Sequence, residues 1–348
     1  MNAALTFGPG DIRVESVQDP IPGVGEVLVK VEGCGICGGD YSAHKPGVKK
    51  LPKLKDPIIA GHEVAGTIVD SGKGVSGLPI GTKVAVSPNR PCGSCSTCHK
   101  GMSHLCQNRK PRVLEQGGGF AEYTSVFSEQ CSPISADTSL LEAAVAEPLA
   151  CCIHSTNRIH VQQGDDVAII GAGLNAQIFV QLTRLKGARR VTVIDSISKR
   201  LMMASVHGAD VVIDSSVTSP EQMISHFPRG ADVVINTRGA MEFTKLAFDI
   251  CAVGARILCY GVAPVGETIP IEPNMIFRKE IQLIGGRSFN NTFSAAVDLI
   301  ASKRVQVDPL VTRTVNLERY SEIINSPSED HIKTVVVPNQ KAPEKYRW

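Results

Sequence analysis

Residues 167–182 read VAIIGAGLNAQIFVQL, and the order of textures inside this stretch decides the fold of the chain's second half. A short run of β-type apolar residues, Val167–Ile170, meets Gly171 and Gly173 and passes directly into an apolar helical pattern. Strand, glycine turn and helix in that order form the context of a dinucleotide fingerprint. Glycine allows the tight turn, and the backbone amides at the helix N-terminus can approach a pyrophosphate. Leu174 and Asn175 fill the variable pair, and Ala176 stands where the usual third glycine would be. The next apolar segment, VTVID, ends on Asp195. A carboxylate there can accept hydrogen bonds from the adenosine ribose and repel the additional phosphate of NADP, so NAD is the expected cofactor. The competing role for Asp195 is a helix cap ahead of Ser196–His207.

Working outward, VVID, VVINT, ARILCYG and IQLIG follow at intervals that leave room for helices. Six short apolar strands with helix-length connectors specify an α/β, doubly wound parallel sheet. The preceding 150 residues have a different texture, rich in Gly and Pro with short alternating segments such as Glu26–Val31 and Lys83–Ser87. That is the pattern of a β-rich domain whose loops carry ligands. The expected organisation is residues 1–149 as a β-rich catalytic domain, 150–287 as the cofactor domain, and 288–348 as a C-terminal segment of helix and short strands.

With 36 Lys and Arg against 34 Asp and Glu, the formal net charge of +2 gives no electrostatic case for nucleic acid or a membrane surface. No apolar run approaches the ~18 residues of a membrane span, and the N-terminus lacks the basic-then-apolar pattern of a secretory signal. A cytoplasmic protein is expected, and its 11 cysteines should serve metals before disulfides.

Four of those cysteines lie in PCGSCSTCHKGMSHLC: Cys92, Cys95, Cys98 and Cys106. Thiolates at this spacing can wrap one tetrahedral zinc completely, which leaves no open position for chemistry. A second, open site needs other residues. Cys37 sits in a glycine-rich turn with Asp40 three residues on; His62 and Glu63 are adjacent; Glu147 precedes Pro148 at the start of a helical run. One thiolate, one imidazole and a carboxylate suit a zinc that keeps a position for water or substrate.

Gly61, His62, Glu63, Gly66, Gly72 and Val75 reproduce the spacing Gly-His-Glu-x2-Gly-x5-Gly-x2-Val, with the cysteine lobe and the dinucleotide turn following in order. In this the chain resembles the zinc-dependent medium-chain alcohol and polyol dehydrogenases, over essentially its whole length. The resemblance implies a GroES-like catalytic domain beside a Rossmann domain, with the C-terminal segment returning to the first domain. It implies two zinc ions per chain: a structural one in the lobe, and a catalytic one on Cys37, His62 and either Glu63 or Glu147, with Asp40 orienting the histidine. Arg200 falls where the family often carries a basic residue near the adenosine. Gly261 and Val262 match its nicotinamide-amide turn, and Thr237 is a further candidate for that region.

The implied activity is reversible, NAD-dependent oxidation of a secondary alcohol of a small polar substrate to a ketone. A polyol, sugar alcohol or cyclitol fits, with an amino-cyclitol or a phosphorylated or acidic sugar alcohol as alternatives. The last is suggested by Lys45, Lys49, Lys50, Lys53 and Lys55, a basic loop following the Cys37 turn, whose plainer reading is a solvated surface. A zinc-free quinone or enoyl reductase and a non-catalytic NAD-binding protein are both disfavoured by Cys37, His62 and Glu63 occurring together. One departure stands out. The family usually has Ser or Thr two residues after the cysteine ligand to pass on the alcohol proton, and this chain has Gly39. His44 is the first candidate to replace it, being able to shuttle near neutral pH, ahead of Ser42, Tyr41 and Glu147. A homodimer or homotetramer is expected.

Overall fold

The computed structural model describes residues 1–44, 56–108, 117–328 and 331–339. The chain divides into two compact units, Met1–Pro148 with Phe293–Trp348, and Leu149–Thr292. The first unit is therefore built from both ends of the chain.

The first unit opens with β1 (Asn2–Gly8) and β2 (Asp11–Ser16), antiparallel neighbours that form a small sheet with β4 (Ile58–Ile59). The larger sheet is centred on β3 (Glu26–Gly35), whose alternation of half-buried and buried residues up to Gly33 puts Val27, Val29 and Val31 in the core. Beside it run β5 (Glu63–Ser71), β6 (Lys83–Val86) and β8 (Cys131–Pro133), while β7 (Tyr123–Phe127) pairs with the first half of β3. Apolar side chains from these strands close over Phe120 and Tyr320, whose ring centroids are 4.0 Å apart.

The second unit is a six-stranded parallel sheet made by β9 (Asp166–Ile170), β10 (Arg190–Asp195), β11 (Val211–Asp214), β12 (Ala231–Asn236), β13 (Cys251–Cys259) and β14 (Gln282–Gly285). Their spatial order is β11-β10-β9-β12-β13-β14, the doubly wound arrangement that reverses direction at β9. The central strands β9, β10 and β12, buried on both faces, are near-continuous apolar runs, as a covered parallel sheet requires.

The chain then returns to the first unit through β15 (Val311–Val315) and β16 (Lys333–Val336). Strand β16 pairs antiparallel with the end of β3, Val335 facing Gly35 and Val336 facing Cys34. Continuing that register backwards brings Lys333 beside Cys37, with Gly35 itself paired to Glu63 across β3 and β5. No helix among the described residues is long and apolar enough to cross a membrane.

Candidate active site, zinc lobe and dinucleotide turn

The end of β3, the helix Gly38–His44 that follows it, and the start of β5 bring three ligand-capable side chains together. One ligand atom each from Cys37, His62 and Glu63 lies within 4.8 Å of the others. Local backbone makes this possible. Gly61 has φ +99, and a Cβ there would come within 2.7 Å of the Cys34 sulfur and 2.9 Å of the Phe120 nitrogen, so only glycine lets the chain turn into His62. The Cys37 amide donates to Asp40 Oδ2 at 2.8 Å, and the Gly39 amide reaches Cys37 Sγ at 3.4 Å.

Negative charge gathers around the His62 imidazole. Burial alone would push the His62 imidazole down, but its hydrogen bond with Cys37 and the charges of Asp40, Cys37 and Glu147 outweigh that and raise it well above its ordinary value. Glu147 is thus close enough to act on His62, although the compact trio contains Glu63. Burial likewise raises the Asp40 carboxyl, against the pull of His62.

A residue that sequence reasoning missed completes the site. Lys333 pairs with Glu63, the two side chains being 2% and 1% exposed, and its ammonium also donates to the Ile36 carbonyl at 2.8 Å. Burial works to strip its proton, but Glu63, then Cys37 and Asp40, hold the charge and leave its pKa raised. Gly35 is the space this pair needs, since a Cβ there would lie 2.0 Å from Glu63 Oε2 and 2.7 Å from Lys333 Cε. The sequence signal was a lysine opening the short strand KTVV, and its partner could not be read without the β16–β3 register.

The structure places His44 unfavourably for the proton shuttle expected of it. It is buried, its Nδ1 accepts the Gly10 amide at 3.0 Å, and burial lowers its pKa. A ring nitrogen already engaged as an acceptor inside the protein ties the helix to the β1–β2 turn and is poorly placed to trade protons with water. Lys45, Lys49, Lys50, Lys53 and Lys55 lie outside the described residues.

In the lobe, all four sulfurs lie within 4.8 Å of one another, with Cys95 3.5 Å from Cys98 and 3.8 Å from Cys106, and Cys106 3.5 Å from Cys92. A tetrahedron of ~2.3 Å zinc–sulfur bonds has edges of about 3.8 Å, so the spacing fits. All 11 cysteines are free thiols. Hydrogen bonding from Thr97 lowers Cys95 to about 5, while burial and its neighbours' sulfurs push Cys98 up to about 12. A bound divalent cation is what would let all four deprotonate together.

The dinucleotide turn occupies the carboxyl end of β9. Gly171 has φ +100, and a Cβ there would meet Thr237 Oγ1 at 2.3 Å; Gly173 precedes the helix Leu174–Leu185, which opens with Leu174 and Asn175. Asn175 Oδ1 lies 3.7 Å from the buried Cys152 sulfur. Thr237 spends its hydroxyl on the Ile170 carbonyl at 2.7 Å, fastening the end of β12 to β9. Asp195 accepts the Ala172 amide at 2.7 Å and the Ile197 amide at 3.0 Å. The following helix is Ser198–Val206, shorter than expected, with Ile197 in the cap position, so Asp195 tightens the glycine turn without being the cap residue. Arg200 lies in that helix, its carbonyl accepting from Gln177 at 2.9 Å. The Gly261 amide donates to the Asn236 carbonyl at 2.9 Å, and Val262 beside it is exposed.

Residues 23–136 match the alcohol dehydrogenase GroES-like domain and residues 176–302 the zinc-binding dehydrogenase domain. The chain belongs to the zinc-type medium-chain dehydrogenase family. It is 29% identical over 345 residues to D-arabinitol dehydrogenase 1 of Uromyces fabae, covering 97% of each chain. It is 30% identical over 328 residues to human sorbitol dehydrogenase, covering 91% of this chain and 90% of that one. A crystal structure assigned as a zinc-binding dehydrogenase of Sinorhizobium meliloti 1021, bound to NADP, superimposes with a TM-score of 0.90 at 32% identity, over 97% of this chain and 99% of that one. The GroES-like and Rossmann-type architecture is that of these zinc dehydrogenases.

Proposed function

We propose that the chain is a zinc- and NAD-dependent dehydrogenase that reversibly oxidises a secondary alcohol of a polyol, sugar alcohol or cyclitol to the ketone. The observation that carries this reading is the convergence of Cys37, His62 and Glu63 within 4.8 Å, backed by the buried Lys333, on a chain with a Rossmann turn. The polyol relatives support the substrate class, and the NADP-bound relative supports a nicotinamide dinucleotide.

Cys37, His62 and Glu63 would hold the catalytic zinc, with Glu147 as a further carboxylate acting on His62. When bound there, zinc supplies Lewis-acid polarisation of the alcohol oxygen and makes its proton labile. The surrounding residues then have definite tasks. Asp40 lends negative charge to His62 and holds the Cys37 amide. Lys333 offsets the carboxylate charge of Glu63, which keeps the ligand set from becoming so anionic that it resists losing a further proton. With Gly39 carrying no hydroxyl and His44 engaged by Gly10, the proton leaves through water assisted by Glu147. Gly171, Gly173, Leu174 and Asn175 would take the pyrophosphate, Asp195 would shape the adenosine-ribose end by bracing the glycine turn, and Thr237, Gly261 and Val262 would border the nicotinamide. When bound there, the nicotinamide would supply the two-electron acceptor for the hydride of the carbinol carbon, with the hydroxyl proton leaving separately.

A homo-oligomer is proposed as well. Edge strand β14 carries Leu283 at 50% exposure, and Phe277 on the helix Pro273–Lys279 is 81% exposed. The test of the activity is formation of reduced nicotinamide with a panel of polyols, cyclitols, amino alcohols and sugar-alcohol phosphates, alongside zinc analysis. Turnover of no secondary alcohol in zinc-replete protein would refute it.

A further inference from the structure

Asp195 is the residue that would ordinarily exclude a 2′-phosphate, yet in this chain it does not face solvent alone. Its side chain is 1% exposed, and its two oxygens are occupied by the Ala172 and Ile197 amides at 2.7 and 3.0 Å. Arg238 lies over it, Nη1 to Oδ2 at 3.9 Å, and is itself 41% exposed. What a ribose approaching this turn meets first is therefore a guanidinium and not a carboxylate.

Arg238 is held in that position. Its amide donates to Asn236 Oδ1 at 3.0 Å, fixing the turn after β12. Gly261 packs so closely on the Arg238 backbone that a Cβ there would come within 2.3 Å of it. The guanidinium carbon lies 5.0 Å from the centroid of the Phe243 ring, a cation–π contact that steadies a side chain still 41% exposed. A planar, permanently charged fork beside the ribose subsite is the group that recognises a phosphate monoester in two-point fashion.

We propose that Arg238 is a cofactor-specificity residue that gives the adenosine pocket affinity for a ribose 2′-phosphate, so that the chain binds NADP as well as NAD. Arg238 cancels the repulsion from Asp195 and supplies the phosphate's partner, while the unphosphorylated ribose of NAD remains free to bind at the same turn. This rests on the reading of residues 171–195 as a dinucleotide site.

The test measures binding directly, by fluorescence titration of the zinc-loaded protein with NADPH and NADH in the absence of alcohol. Unmodified protein should bind the two within about tenfold of each other, with NADPH binding alone weakening steeply as salt is added. Arg238→Ala should weaken NADPH by at least about tenfold and NADH by less than about threefold, and Arg238→Lys should recover part of the loss. Retained NADH binding in Arg238→Ala shows that the turn is still folded. NADPH more than about tenfold weaker than NADH in the unmodified protein, or equal weakening of both by Arg238→Ala, overturns the assignment of Arg238 and leaves the dinucleotide site standing. Binding of neither nucleotide overturns both.

Discussion

Replacing Lys333 by Met removes the positive partner of the buried Lys333–Glu63 pair. The pair's side chains are 2% and 1% exposed, so solvent cannot take over when one partner goes. Leaving a buried charge without its partner costs about 3–5 kcal/mol. The first unit comprises roughly 200 residues, a size at which each kcal/mol moves Tm by about 2–4 °C, so chelator-treated Lys333→Met should melt about 6–20 °C below the metal-free parent. The loss should shrink once zinc is restored, because Glu63 lies within 4.8 Å of Cys37 and His62 and a cation bound there neutralises it in place of the ammonium. The assay is thermal unfolding of parent and variant, each metal-free and zinc-reloaded, with zinc per chain measured in parallel. The lobe gains and loses its zinc equally in both proteins and drops out of the difference. A penalty that is the same with and without zinc, or a metal-free penalty below about 1 kcal/mol, the range of a surface pair, would show that Lys333 is not the counter-ion of the ligand set.

Zinc content should be two per chain, falling to one in Cys37→Ser with turnover lost and melting little changed, whereas Cys98→Ser should also lose one zinc but lower Tm markedly; one zinc in fully active parent protein refutes the two-site assignment. In His44→Ala the pH profile of alcohol oxidation should be unchanged while stability falls by about 1 kcal/mol from the lost Gly10 hydrogen bond, and a shifted profile at intact stability would return the shuttle role to His44. His207 is buried against Gln177 Oε1 at 3.0 Å, and burial lowers its folded pKa. The unfolded chain therefore binds the proton more readily, and this contribution to stability is complete above the unfolded pKa of about 6.5 and is lost as pH falls below it. His207→Gln should make the melting temperature fall less between about pH 7.5 and about pH 5.5 than it does in the parent, and identical slopes would refute this.

The features legible in the sequence are those whose determinants are local. The strand, glycine turn and helix over residues 167–182 are dictated by side-chain period and by the φ that Gly171 must adopt, and both are properties of consecutive residues. The lobe's four cysteines span 15 positions, so a short loop can gather the sulfurs without help from the rest of the chain. Cys37, His62 and Glu63 were legible too, but through a resemblance of spacing, since nothing in each short segment by itself says that β3 and β5 are neighbours.

Tertiary structure alone decided the rest, because charge partners are chosen by distance and burial. Lys333 donates to Ile36 across 297 positions of sequence, and its union with Glu63 depends on the register of β16 against β3, where a slip of one residue would turn the ammonium to the other face. Arg238 reaches Asp195 because β9 separates β10 from β12 and both strands end at the same edge of the sheet. His44 was the first candidate for a shuttle because an imidazole in water titrates near neutral pH. Its burial follows from packing against the β1–β2 turn, and a side chain's ionisation is set by the water it loses and the groups it meets, neither of which is written in the residues beside it.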